Sequence, residues 1–256
     1  MGELSKICRV VELGSIGYGE ALTLQRNLVA ARKAGAAPDV LLLCEHPHVL
    51  TLGRSGKLQN LLASDESLRG MGVEFYPTDR GGDITYHGPG QVVGYPILQL
   101  AEIRRDVVWY VRQLEQAMIQ ASAAFGVTAF RVPGRTGVWV QPSAGESGSI
   151  PSEEKLGAIG VHISRWVTSH GFAYNVASDL RYFDLIVPCG IAGRRATSLQ
   201  KLLDRPVLAS EVTPHLTAAL GRVLSLEMVP ADIKEMNEWL AAAGPITAEV
   251  ASATAT

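Results

Sequence analysis

Cys189 is the side chain best placed in this sequence to act as a nucleophile. It stands in a turn, between Pro188 and Gly190, with Gly193, Arg194 and Arg195 close behind. A thiol on a turn near cations ionises more readily than its ordinary pKa of about 8.5 allows, and the thiolate is the reactive form. Cys8 and Cys44 differ: both sit in apolar, strand-like runs, where a thiol is a small buried hydrophobe. A cysteine nucleophile needs a base or a nearby cation to activate it, and Lys155, His87, His162 and His170 are the candidates. His46-Pro47-His48 offers two metal-ligand types without an evident third, so no metal is expected.

The second feature with chemical potential is RGGDITYHGPGQ, residues 80–91. Gly81, Gly82, Gly88 and Gly90 lack a Cβ, so the backbone there can take φ > 0 or approach another group closely. A structural turn has little use for Arg80, Asp83 and His87 as well, so the stretch is expected to form the wall of a site. It matches neither GxxxxGK[ST] nor GxGxxG, and a strand rather than a helix follows it, which argues against a phosphate loop.

The elements that must position these residues are legible in outline. Residues 7–13 predict a strand, and Ala21, Leu24, Leu28 and Ala31 recur at helical spacing over 20–33. VLLLC (40–44) has the length and composition of a strand buried on both faces, with 49–52 as its expected partner. Strands are also predicted over 73–76 and 92–98. Asp106 caps a helix whose core-facing stripe is expected to be Val107, Val111, Leu114, Met118, Ala121 and Phe125, with Gly126 as its stop. A hairpin turns at Pro133-Gly134. Residues 142–153, PSAGESGSIPSE, predict a surface loop. Residues 155–176 alternate, with Ile159, Val161 and Ile163 on one side and Gly160, His162 and Ser164 on the other, the mark of an antiparallel hairpin. Helices follow over 197–204, 210–224 and about 233–243. The final ASATAT is expected to be disordered. The predicted class is α+β around a mixed, largely antiparallel sheet with flanking helices. One catalytic domain is expected over 1–225, with a partly helical tail over 226–256.

Composition narrows the function classes. Of 256 residues, 47% are hydrophobic and 19% charged, as in a soluble enzyme with a substantial core. The formal charge is -2 without a basic stripe, so a nucleic-acid partner is not expected. No apolar run reaches the length of a membrane span. The amino-terminal sequence lacks the apolar core of a secretory signal, and Lys6 breaks the myristoylation pattern. Widely spaced cysteines fit reduced thiols in the cytoplasm. A monomer is expected.

Taken together, these motifs resemble the lipoyl(octanoyl) transferases. The resemblance is carried by LLLCEHPHVLTLGR (41–54), RGGDITYHGPGQ (80–91), GRTGVWV (134–140), KLGAIGVHISRWVTSHGFAYNV (155–176) and PCGI (188–191), and runs from about residue 5 to 224. It implies the catalytic-domain fold of the biotin and lipoate protein ligases. It implies transfer of an octanoyl group from acyl carrier protein to a lysine of a lipoyl domain, in 2-oxoacid dehydrogenases or the glycine cleavage H protein, with no cofactor. The catalytic pair it implies is Cys189 and Lys155. The substrate-binding residues it implies are Arg80, Gly81, Gly82, Asp83, Ile84, Thr85, Tyr86 and His87, then Ala158, Ile159 and Gly160, then Gly171, Phe172 and Ala173. Ile84, Tyr86, Ile159 and Phe172 are expected to line a tunnel for the acyl chain. Arg54, Lys57, Arg194 and Arg195 are the expected local patch for an acidic carrier protein. Competing readings are an ATP-dependent lipoate or biotin ligase on the same fold, a cysteine hydrolase pairing Cys189 with His87 or His162, and a binder that keeps only the fold.

Overall fold

The computed structural model describes residues 6–141, 153–187 and 195–244. Cys189, Arg194, all but the last residue of the expected 142–153 loop and the ASATAT end lie outside the described residues. β1 (Lys6–Ser15) and β2 (Asp39–Glu45) pair in parallel, which requires a crossover, and α1 (Tyr18–Lys33) supplies it. β2 is buried along its first six residues, as VLLLC predicted.

β3 (Val49–Leu52) corrects one expectation: it does not pair with β2. Both edges of β2 are taken, by β1 and by β6 (Gln91–Ile97). The chain leaves the sheet at Pro47, which lacks an N–H for the ladder. His46 locks that exit: its Nδ1–H donates to Ile16 O at 2.8 Å, and its Nε2 accepts from Tyr95 Oη at 2.6 Å. β3 instead centres a three-stranded sheet, parallel to β4 (Glu74–Pro77) and antiparallel to β5 (Ile84–His87). That sheet has a core of its own, built from Leu50, Leu68, Val73, Ile84, Tyr86 and Ile186.

The main sheet has eight strands. β7 (Ala129–Val132), β8 (Arg135–Val140), β9 (Glu154–Ser164) and β10 (Val167–Asn175) add to β6 in the order β6-β10-β9-β8-β7, all antiparallel. The sheet is therefore mixed and largely antiparallel, as expected. β11 (Leu226–Pro230), a strand the sequence did not suggest, extends the far edge in parallel with β1. α6 (Ile233–Ala242) lies with α1, and Met236 joins Leu28, Leu42 and Tyr95 in the core of that face.

The opposite face is covered by α3 (Val107–Ala123) and α5 (Ala209–Leu224), which follow α2 (Asp65–Gly70) and α4 (Leu199–Leu203) in the chain. Asp106 caps α3 by accepting from Trp109 N–H at 2.8 Å. Leu114, Met118 and Ala121 are buried as the stripe predicted, but Val107 is 44% exposed. It lies in the first turn, before the helix reaches the sheet, and Tyr110 fills the core position instead.

α3 also buries a carboxylate. Glu115 is fully buried and accepts from Arg112 Nη1 at 2.7 Å, Arg131 Nε at 2.9 Å and Gly137 N–H at 3.1 Å. Glu115→Ala strands Arg131 and the Gly137 amide. The expected loss is about 3 kcal/mol, at the low end for a broken buried pair because both arginines reach solvent. Urea unfolding checks this; a loss under about 1 kcal/mol would mean that water replaces the carboxylate.

Candidate active site

The side-chain period of two along β6, β10 and β9 builds the floor of a cleft of about 270 Å³. Val93 opposes Ala173, and Ala173 opposes Ala158, so these three share the face on which the small sheet lies. All three border the cleft, with Tyr95 and Tyr18 beside them. Small side chains at 158 and 173 leave the trough open. Gly160 serves a different need: a Cβ there would stand 2.8 Å from Gly81 O, so any other residue would push the glycine-rich stretch off β9. Gly81 N–H donates to Val161 O at 2.9 Å in that close approach.

Arg80, Gly82, Asp83, Ile84, Thr85 and His87 line the cleft, as do Ala158, Ile159, Gly160, Gly171, Phe172 and Ala173. Two of the expected residues do not: Gly81 and Tyr86 are absent from the lining. The expected acyl tunnel is corrected at one position only. Of the four residues expected there, Ile84, Ile159 and Phe172 border the cleft and Tyr86 does not; Ile84 and Tyr86 also belong to the small sheet's core, and Ile159 and Phe172 to the core under α3. Tyr86 Oη bonds His48 Nδ1 at 2.8 Å, and the ring stacks on Tyr182. His46 and His48 thus point to different partners.

Positive φ occurs at Gly82 and Gly90 but not at Gly81 or Gly88. The ionisable side chains of the stretch hold its shape. Arg80 is buried and donates from Nη2 to Thr51 O at 2.7 Å and from Nη1 to Gly81 O at 3.0 Å. Asp83 accepts from Ile84 N–H at 2.7 Å and from Asn60 Nδ2 at 2.6 Å.

His87 starts a chain of hydrogen bonds across the site. Gln91 Nε2 donates to Asn175 Oδ1 at 2.8 Å, which leaves Gln91 Oε1 to accept from His87 Nδ1 at 2.7 Å. Asn175 Nδ2 donates to Thr197 O at 2.9 Å, and Thr197 N–H donates to Lys155 O at 2.9 Å. The glycine-rich stretch is thereby tied to Lys155, 68 positions beyond His87 in the sequence. Burial pushes the His87 pKa down to about 3, with His46 and Arg80 nearby adding to the effect. A neutral ring with Nδ1–H committed to Gln91 is a structural group, which weakens the hydrolase pairing of Cys189 with His87. His170 is turned to Asp79 by a backbone φ of +53°, and its Nε2–H donates to Asp79 Oδ1 at 2.7 Å. That bond holds the Asp79 pKa down at about 2. His162 faces the same carboxylate at 3.9 Å.

Lys155 lines the cleft near the start of β9. Its Nζ lies 5.3 Å from the centroid of the Trp139 ring, and its N–H donates to Arg195 O at 3.0 Å. Arg195 and Ala196 border the cleft too. The described chain stops at Val187, where Val187 N–H donates to Asn60 O at 2.8 Å, and resumes at Arg195. Both flanks of the Cys189 segment are therefore held at this site, one by Asn60 beside Asp83 and the other by Lys155. Cys8 and Cys44 are buried, and burial pushes both thiols far up from their ordinary range. Arg54 and Lys57 are exposed. Arg54 N–H donates to Arg80 O at 2.9 Å, so this pair lies beside the glycine-rich wall. Tyr18, Gln91, Tyr95, Trp139 and Asn175 were missed at the sequence level. Alternation along β6 and β10 could have found Tyr95 and Asn175, but nothing local marks Tyr18.

Residues 17–221 match the family model of the lipoyl protein ligase A/B catalytic domain. An octanoyltransferase of Solibacter usitatus is 52% identical over 87% of this chain and 96% of its own. The chain belongs to the octanoyltransferase family. An octanoyltransferase of Acidobacterium capsulatum is 49% identical over 97% of this chain and 99% of its own. The family places the enzyme among the acyltransferases. Its fold recurs in the bipartite lipoate protein ligase of Thermoplasma acidophilum, solved in a study with its E2 lipoyl domain. That structure superposes with a TM-score of 0.69 over 92% of this chain and 91% of its own, at 16% identity. Among the described residues no helix is long and apolar enough to cross a membrane, and no cluster of three or more His, Cys, Asp or Glu could hold a metal ion.

Proposed function

We propose that this chain moves an octanoyl group from acyl carrier protein to the lysine of a lipoyl domain through a thioester on Cys189, in the cytoplasm and without a cofactor. The observation that supports this most is the convergence on one cleft of Lys155, the glycine-rich wall and Arg195, the residue at which the Cys189 segment rejoins the described chain.

The Cys189 thiolate attacks the octanoyl carbonyl, a tetrahedral oxyanion forms, and the carrier thiol leaves. This exchange of one thioester for another is close to balanced. The acceptor lysine, as a neutral amine, then attacks the Cys189 thioester. The amide forms, the Cys189 thiolate departs, and the lysine's proton needs an acceptor. The amide is more stable than the thioester, so the sequence of steps runs downhill without ATP. Lys155 as an ammonium favours the Cys189 thiolate and gives its proton to the departing carrier thiolate; as the resulting amine it takes the proton of the acceptor lysine in the second step. Backbone N–H groups about the cleft would hold the oxyanion. Val93, Tyr95, Ala158 and Ala173 give the acyl chain an apolar floor. Arg80, Gly81, Gly82, Asp83, Thr85 and His87 keep the wall above it in shape. Arg54, Lys57, Arg194 and Arg195 would meet the acidic carrier protein.

The test is transfer from octanoyl-carrier protein to a lipoyl domain with ATP removed by apyrase. The octanoylated lipoyl domain should appear at the same rate with and without the nucleotide. Transfer that requires ATP, or release of free octanoate in its place, would overturn the proposal.

A further inference from the structure

We propose that Trp139 is a positioning residue for Lys155, its indole face holding the ammonium at the cleft wall and so setting the rate of Cys189 acylation. The inference rests on the reading that Lys155 activates Cys189.

Register is the first ground. In β8 and β9, Val138 opposes Gly157, but the next residue, Trp139, opposes Lys155. One step on β8 thus matches two on β9, a bulge that leaves Leu156 as the extra residue. Leu156 is fully buried in the core beneath α3. Directly opposed residues of an antiparallel pair share a face, so the bulge brings Lys155 and Trp139 to the same side, and both line the cleft. A regular ladder would have set Leu156, not Lys155, against the indole.

The second ground is the fit of the pair. The Lys155 Nζ lies 5.3 Å from the Trp139 ring centroid, within range of the quadrupole of the ring. The indole is 3% exposed, and its Nε1–H donates to Arg135 O at 3.4 Å, so its plane is fixed. Gly137 closes in from beyond it: a Cβ there would come within 2.7 Å of Lys155 Cε and 2.5 Å of Gly157 O. Gly137 is itself anchored, since its N–H donates to the buried Glu115 carboxylate. Support therefore runs from α3 through Glu115 and Gly137 into β8, and from Trp139 to the lysine. Trp139 sits in the GRTGVWV motif.

The experiment varies the ring's electrons at constant shape. Tryptophan carrying no, one, two or three fluorines is placed at position 139 in the full chain, and Cys189 acylation by octanoyl-carrier protein is followed by intact mass. The logarithm of the rate should fall steadily with each fluorine. Trp139→Leu should be slowed roughly 3- to 30-fold, and Trp139→Phe should recover part of that loss. KM for the carrier protein should stay constant throughout. Rates that are flat across the fluorine series, or that change only through KM, overturn the inference even if Trp139→Leu unfolds. Wild type and Cys189→Ala run in parallel: an adduct that survives in Cys189→Ala sinks the reading of the reaction, whereas a normal wild type with a flat series sinks only the role of Trp139.

Discussion

Cys189→Ala is expected to abolish the octanoyl adduct, and Lys155→Ala to slow its formation by roughly 10²–10⁴-fold with the fold intact. The two effects differ in kind. Alanine at 189 leaves no atom to carry the acyl group, so intact mass after mixing with octanoyl-carrier protein should show only the unmodified chain. Alanine at 155 keeps everything that the backbone there does. Its N–H still bonds Arg195 O and its carbonyl still receives Thr197 N–H, so the strand and its link to the Cys189 segment survive. What goes, on the proposed mechanism, is the positive charge that favours the thiolate and an acceptor for the incoming proton. Lys155→Arg separates these: a guanidinium keeps the charge but cannot be deprotonated, so acylation should recover more than transfer to the lipoyl lysine. An adduct that persists in Cys189→Ala would refute the nucleophile. Equal acylation rates for wild type and Lys155→Ala would remove the lysine from the mechanism.

Acid should weaken the fold from near pH 6.5 downward, well above the range in which carboxylates titrate, because two histidines are buried neutral. His87 has its pKa depressed from an ordinary 6.5 to about 3, chiefly by burial, and His46 is shifted in the same direction by burial. Between those values the unfolded chain binds a proton that the folded chain refuses. Stability is therefore fully present above about pH 6.5 and is lost as pH falls toward 3, at roughly 1.4 kcal/mol per pH unit for a fully depressed group. His87 alone removes roughly 2 kcal/mol by pH 5. Asp79 acts later: its pKa of about 2 means that its contribution is lost only as pH falls from about 3.8 through 2. His87→Gln removes the group and should flatten the slope of unfolding free energy between pH 7 and 5. Urea titrations at both pH values give that slope. The same slope in wild type and variant would show that His87 takes up its proton without unfolding.

The fold class was legible because it depends on short-range pattern. Alternation over 155–176 marked a hairpin, the apolar run 40–44 marked a buried strand, and Asp106 marked a helix start; each appears in the structure. The partner of β3 was not legible, since nothing within 49–52 records that both edges of β2 are already occupied. β11 escaped for a similar reason: LEMVP gains its strand character only from lying along β1.

The sequence alone determined which chemical groups this protein has available: a thiol between Pro188 and Gly190, a lysine at a strand start, and a glycine-rich stretch with Arg80, Asp83 and His87. The tertiary structure decided what those groups touch. It tied His87 to Lys155 through Gln91, Asn175 and Thr197, and it sent Tyr86 into a core and Thr85 to the cleft. It set Trp139 opposite Lys155 through a single bulge. The physical reason is range. Turn chemistry and side-chain period act over a few residues and can be read from them. Register and partner choice are settled by competition for burial among segments distant in the chain, and that competition has no local mark.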